Sequence, residues 1–395
     1  MFASIRKNYN HTILACYIGY ITQAIINNFA PLLFLTFAAG FSLSLDKITM
    51  IPTVNFAVQL TVDLISAKVV DRIGYRPCIM AAHVFSAAGL IALAVLPFVM
   101  DPFAGLLIAV VLYAIGGGII EVLISPIVEA CPTERKEGAM ALLHSFYCWG
   151  QVALVAISTA FFALFGMAYW PVMAVLWALV PLFNIAYFAL VPIYPIVPSG
   201  EKQQSIRQLF RQKAFWLLAL MMLCAGASEL AMSQWASAFV ESALKISKTM
   251  GDLMGPCLFA VFMGTARAIY GKYSDKIPLK KMIMGCAVLC TACYLIAVTA
   301  NAPLMALAGC AVCGFSVGIF WPGTFSTAVK ALPGGGTAMF AFMSLAGDLG
   351  CSSGPTLVGL AANALGGNLK AGLAFAMIFP LGMLLCTALV MKREK

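Results

Sequence analysis

Charge is scarce in this sequence. Only 10% of its residues are Asp, Glu, Lys or Arg, against about 25% in a soluble domain, while 62% are hydrophobic. A chain of this make-up would expose more apolar surface than water tolerates, which excludes a soluble globular protein and leaves lipid as the fitting solvent. Acids are scarcer than bases, 15 against 24, and histidines number 3. The formal net charge of +9 would suit nucleic acid, but the positions of the basic residues argue against it. Catalytic signatures are missing as well. There is no HExxH and no His/Asp-rich metal cluster, so the sequence calls for no enzyme activity, cofactor or metal.

Long apolar runs are what the sequence has in plenty. They span 12–39, 49–70, 78–99, 103–129, 139–165, 167–192, 214–243, 249–272, 281–300, 303–331, 337–362 and 369–391. Each is long enough to cross a bilayer as a helix, and lipid leaves the backbone no other open option. The expected fold is an all-α integral membrane protein of twelve transmembrane helices. On one side the connectors and termini carry nineteen Lys and Arg, among them Arg6, Arg72, Arg135, Lys280 and Lys392. On the other lie four, Lys47, Lys245, Lys248 and Lys370, with Arg267 inside a run. The positive-inside rule then places both termini in the cytoplasm of an inner or plasma membrane, favours an even helix count, and explains the net charge without nucleic acid. The first run is too long for a signal-peptide core and is expected to stay as a helix. Cys290 and Cys293, with Cys310 and Cys313, match zinc spacing. They fall inside apolar runs, where small thiols are more at home packing between helices than ionised on a metal.

The chain repeats itself. The most polar connector, Lys202 to Lys213, follows Pro192, Pro195 and Pro198 and divides six runs from six. Asp63-x3-Ala67-x3-Asp71-Arg72-x3-Arg76 returns 204 residues later as Arg267-x3-Gly271-x3-Asp275-Lys276-x3-Lys280. His144 to Gly150 lies 200 residues before Ser344 to Gly350, and Pro126 lies 196 before Pro322. A duplicated six-helix unit is the economical explanation. It sets the expected division: an N-terminal bundle over 1–197, a cytoplasmic linker over 198–213 and a C-terminal bundle over 214–395.

The repeated acidic-basic loop after runs two and eight resembles the signature of the major facilitator superfamily, with Ala67 where glycine is usual and Tyr75 where a base is usual. A narrower resemblance is to the fucose and hexose proton-symporter branch. It rests on Gly116-Gly-Gly-Ile-Ile-Glu121 with Ser125-Pro126 in run four, on Glu229-x5-Trp235 in run seven, and on Gly318-Ile-Phe-Trp321-Pro322 through Ser326 in run ten. The resemblance implies two pseudo-symmetric six-helix bundles rocking about a mid-membrane site. It also implies an imported sugar-like cargo and a proton as coupling ion. The chain departs from the branch where Asn28 stands in place of the helix-one acid, and where His144, Tyr147 and Trp149 replace the usual run-five residues.

Polar groups inside apolar runs each need a reason, because a charge at mid-membrane costs about 2.5 kcal/mol or more. Glu121 sits mid-run, and burial away from cations favours its neutral form, the state a proton carrier visits. Glu229 suits a substrate hydroxyl, a cation or a bond to a neighbouring helix. Trp235 and Trp321 offer aromatic planes. His144, Tyr147 and Gln151 share one helical face, as do Asn55, Gln59 and Asp63. Gln59, Asn28, His144, Tyr147 and Gln151 are therefore the further candidates for cargo contact. Asp348, between Ser344 and Ser352, is a second proton candidate that stands in for the missing first-run acid. Asp63, Asp71, Arg72, Arg76, Arg267, Asp275 and Lys276 are the expected gating charges.

These readings point to a monomeric secondary transporter for a small molecule, importing it with a proton by alternating access. A proton-driven efflux antiporter of metabolites or drugs, or a uniporter, is the alternative. The absence of Gly-Pro-Gly-Gly between 139 and 165 weighs against efflux.

Overall fold

The computed structural model describes residues 5–196, 203–244, 257–300, 302–366 and 368–393. Among them every regular element is helical, with no strand. Besides a 3-10 turn at Met167–Tyr169, the α-helices in order are α1 Tyr9–Leu32, α2 Phe34–Gly40, α3 Leu45–Ile73, α4 Tyr75–Val99, α5 Pro102–Ala130, α6 Lys136–Phe165, α7 Trp170–Leu190, α8 Ile206–Arg211, α9 Lys213–Leu244, α10 Leu258–Tyr273, α11 Leu279–Thr299, α12 Pro303–Val317, α13 Phe320–Ala331, α14 Gly336–Ala364, α15 Leu369–Ala376 and α16 Ile378–Arg393. The protein is an all-α integral membrane protein.

Ten of the expected runs appear among the described residues as helices long and apolar enough to span a bilayer. The other two are also helical. The eighth run begins in 249–256, outside the described residues, and continues as α10. The eleventh is α14, 29 residues long, whose glycines, serines and Asp348 lower its hydropathy. Three runs expected to be continuous are broken, and each break has a local cause. Pro31 precedes the break at Leu33. Pro322 follows the break at Gly318–Ile319, and Pro380 follows that at Met377, which separates α15 from α16. Proline withholds an N–H and crowds the carbonyl four residues back.

The chain clusters into two compact units. The first comprises Met1–Pro132, Trp149–Glu201 and Gly336–Ala341, and the second Thr133–Cys148, Lys202–Gly335 and Phe342–Lys395. Thus the first half of α6 packs with the second unit and the start of α14 with the first. Within the first unit α5 is central, packed on α1, α3 and α4. Its contact with α4 depends on Gly116: a Cβ there would stand 2.5 Å from the Ala82 carbonyl oxygen and 2.3 Å from Ser86 Oγ. Lipid supplies no hydrophobic drive between helices, so such close backbone approach is how they associate. Within the second unit α11 and α12 pack together, with Cys290 Sγ 3.8 Å from Cys313 Sγ and Cys310 Sγ 3.5 Å from Met232 Sδ of α9.

Candidate functional site

In the first unit, α1, α3 and α5 bring five amide and carboxyl side chains together. Gln23 Nε2 donates to Gln59 Oε1 (3.2 Å) and to Glu121 Oε2 (3.1 Å). Gln59 Nε2 donates to Asn27 Oδ1 (2.9 Å), and Asn55 Nδ2 donates to the same oxygen (3.3 Å). Helical spacing explains the convergence. Gln23 and Asn27 are four apart on α1, as are Asn55 and Gln59 on α3, and residues four apart share a face. Two oxygens of this cluster, Gln23 Oε1 and Asn55 Oδ1, are buried and have no protein donor among the described residues. Buried acceptors left unmatched are uncommon and need a reason. Asp63 continues the α3 stripe one turn on, also buried.

In the second unit the centre is Arg267 of α10, 3% exposed. Its Nη2 lies 3.5 Å from Glu229 Oε2 of α9. Nη1 donates to the His144 carbonyl oxygen (3.1 Å) and to Cys148 Sγ (3.0 Å), both on α6, while Nε donates to the Gly318 carbonyl oxygen (2.8 Å). That last bond has a cause in the sequence. Pro322 has no N–H to return to Gly318 four residues back, so the break between α12 and α13 frees a carbonyl for the guanidinium. Beside this centre the His144 ring faces Phe325 at 5.9 Å between centroids, and Trp321 meets Phe325 edge-on at 6.3 Å. Trp321 fits only because Gly347 faces it, since a Cβ at that position would stand 2.2 Å from the indole ring. Tyr294 of α11 donates to the Ser228 carbonyl oxygen (2.8 Å), next to Glu229.

Ion pairs and caps gather at the helix ends. In the second unit Arg135 Nε pairs with Asp275 Oδ2 at 2.6 Å, and Arg135 Nη2 donates to the Lys272 carbonyl oxygen (2.7 Å). Lys330 Nζ pairs with Glu137 Oε1, and Tyr270 Oη donates to Glu137 Oε2 (2.8 Å). Glu137, Asp275 and Lys330 border a cleft of about 420 Å³ lined also by Lys276, Lys280 and Thr327. In the first unit Thr337 Oγ1 donates to Asp71 Oδ1, and Tyr75 Oη bonds the same Thr337 hydroxyl. Arg76 donates to the Phe188 and Val191 carbonyl oxygens (2.6 and 2.8 Å), closing the C-terminal end of α7 as basic side chains do.

A family model described as the Major Facilitator Superfamily matches residues 14–355. The chain belongs to the major facilitator superfamily. It is therefore a membrane transporter of small molecules by family. A search of curated protein sequences matched none. Among solved structures the chain is similar to FucP in the outward conformation, with TM-score 0.80 and 15% identity, covering 96% of this chain and 98% of that one. The proton:xylose symporter XylE bound to 6-bromo-6-deoxy-D-glucose gives 0.81 at 14% identity, over 99% and 96%. The human organic anion transporter MFSD10 gives 0.75 at 14%, over 97% and 100%. At such identities these neighbours share the fold.

Against this facilitator fold the sequence-based candidates sort by place. Gln59 and Glu121 meet through Gln23, and Glu229 meets Arg267. Asn28, half-buried, donates to the Ala24 carbonyl oxygen (2.9 Å) of its own helix, while its neighbour Asn27 faces the cluster. His144 lies beside Arg267, and Tyr147 and Gln151 are half-buried further along α6. Asp348 and Ser344 are buried on α14, but Ser352 is exposed, so that stripe runs outward along the helix. The Trp235 side chain lies outside the described residues. Of the gating charges, Asp71, Arg76, Arg267 and Asp275 have the partners given above, while Arg72 and Lys276 are exposed. Gln23, Asn27, Cys148 and Thr337 were not singled out from sequence. For Gln23 and Asn27 the available signal was the four-residue spacing of two amides in an apolar run.

Proposed function

We propose that this chain is a secondary transporter importing a sugar or sugar-like polar metabolite together with a proton. The amide-rich cluster of Gln23, Asn27, Asn55, Gln59 and Glu121 carries the reading. Sugars are recognised by interleaved donors and acceptors, and Gln23 Oε1 and Asn55 Oδ1, buried with no protein donor among the described residues, suit cargo hydroxyls. The embedded carboxyls Glu121, Glu229 and Asp348 supply proton-binding groups, each costly in lipid unless used. The neighbours' printed names, fucose:proton symporter and proton:xylose symporter, agree in class.

Movement follows alternating access, the halves 1–197 and 214–395 acting as the moving bodies about a mid-membrane site. Asp63, Asp71, Arg72, Arg76, Arg267, Asp275 and Lys276 then bias the switch by bonds made in one state and broken in another. The nineteen-to-four distribution of bases supports an inner or plasma membrane with both termini cytoplasmic. The working unit is a monomer.

A thermal-unfolding screen of the purified protein against monosaccharides and other small polar metabolites tests the cargo. Ligand at a hundredfold its Kd adds about 2.7 kcal/mol of stability. The expected result is a rise in Tm with at least one hydroxyl-rich compound, abolished by Gln59→Ala. Stabilisation by apolar drugs alone, unaffected by Gln59→Ala, would overturn the sugar reading.

A further inference from the structure

We propose that Glu229 is the coupling carboxylate of this transporter, alternately ionised against Arg267 and protonated. The inference rests on the proton-coupled reading above and assigns its coupling group to the second unit.

A coupling carboxylate in lipid must be able to hold charge and to give it up. The first needs a counter-charge, because an ion is costly there otherwise. Arg267, 3.5 Å from Glu229, supplies it. The second requires that the counter-charge not be stranded when the acid takes a proton, since an orphaned buried charge is strongly destabilising. Here the arginine has other support. Nε is held by Gly318 and Nη1 by His144 and Cys148, all neutral acceptors on two other elements. In this arrangement they bind the guanidinium whether Glu229 is ionised or protonated. The contact between the partners is long and single, unlike the short forked pairs of structural arginine–carboxylate bridges. Access is unequal as well. The Arg267 side chain is 4% exposed and that of Glu229 15%, so the acid is the member a proton can reach.

From α10 the facing charge is Arg267, and from α6 the titratable groups are His144 and Cys148. Tyr294 of α11 bonds the backbone beside Glu229 at Ser228. On α14, Gly347 and Cys351 meet α9 at Gly226, one turn before Glu229, with Asp348 next in sequence to that contact. On α12, Cys310 meets Met232. Gly318 ties the arginine to the α12–α13 break. Protonation of Glu229 thus weakens one bond of the guanidinium at the point where α6, α9, α10 and the α12–α13 break meet, which links proton uptake to the set of that break.

The test is infrared difference spectroscopy of the purified full-length protein, titrated across the physiological pH range. It reads carboxyl protonation without needing the cargo. The expected result is a protonated-carboxyl band that grows as pH falls and is absent from Glu229→Gln. Glu229→Asp keeps the band at a shifted position, which serves if the glutamine variant does not fold. Identical titrating bands in the wild type and in Glu229→Gln would overturn the assignment. Uptake of labelled fucose and xylose into proteoliposomes under a pH gradient separates the two readings. A Glu229 band without pH-driven sugar uptake keeps the carboxylate and discards the sugar cargo. Where uptake occurs, Glu229→Gln is expected to lower accumulation at least tenfold while sugar exchange at equal pH persists, a split that a merely structural pair would not produce.

Discussion

Removing Arg267 should destabilise the second unit far more than neutralising Glu229. The guanidinium makes three bonds to neutral acceptors, at 2.8, 3.1 and 3.0 Å, besides the ion pair at 3.5 Å. Side-chain hydrogen bonds inside membrane proteins average about 0.6 kcal/mol, so the three together contribute roughly 2 kcal/mol. Arg267→Met loses these and leaves Glu229 without its counter-charge, which by itself costs about 3 to 5 kcal/mol when the charge is retained. Protonation of the orphaned acid relieves part of that second penalty. The expected loss is therefore between roughly 2 and 5 kcal/mol. Glu229→Gln leaves all three neutral acceptors and offers an amide oxygen to Nη2, so its cost should stay below about 1.5 kcal/mol. Adding Glu229→Met to Arg267→Met should recover at least about 1 kcal/mol, because the stranded acid is gone. Thermal unfolding in detergent of the wild type, Arg267→Met, Glu229→Met and their double measures the cycle, with Glu229→Gln beside it. Strictly additive effects, or a Glu229→Gln variant as unstable as Arg267→Met, would refute the reasoning.

Four further outcomes follow from the same geometry. Pro322→Ala restores an N–H that competes with Arg267 Nε for the Gly318 carbonyl, so it should straighten the α12–α13 break and slow transport, read as initial uptake rate in proteoliposomes. Gly116→Val should lower Tm by the equivalent of at least about 1 to 3 kcal/mol, since its side chain meets the Ala82 carbonyl and Ser86, whereas Gly40→Ala, with open space around it, should leave Tm unchanged. Asp71→Ala and Thr337→Val remove opposite ends of one hydrogen bond and should slow turnover alike without abolishing ligand binding, as judged by uptake rate beside ligand-induced Tm shift. Gln23→Leu should weaken cargo binding several-fold in the same Tm assay, because Gln23 links Gln59 to Glu121.

The fold was legible in the sequence because lipid reduces the backbone's choices to helices of known length. Apolar runs and basic connectors follow directly from that constraint, and the runs agree with the helices to within a few residues. The breaks were less legible. Pro31 and Pro322 were visible, but a proline inside a membrane helix kinks, breaks or is absorbed according to what its neighbours offer the freed carbonyl. At Gly318 the neighbour is Arg267, and only packing reveals that. The site was legible in part for a similar reason. Glu121, Glu229 and Arg267 stand out because charge in an apolar run is costly. Gln23 and Asn27 carry no charge and cost less, so they blend into a run that also contains Thr22 and Asn28. The Glu229–Arg267 pairing was open to the rule that embedded opposite charges seek one another. The repeat instead directed attention to Asp63, which stands where Arg267 does in the other half. Cys148 acts through its sulfur as an acceptor, a use no spacing announces.

The central claim is that this facilitator moves a hydroxyl-rich cargo with a proton. Proteoliposomes with an imposed inward proton gradient test it most directly, by following labelled sugar identified from the thermal screen. The account expects accumulation above the outside concentration that collapses when the gradient is dissipated and is lost in Glu121→Gln and Glu229→Gln. Flux that only equilibrates the sugar, independent of pH and unchanged in both variants, would contradict it.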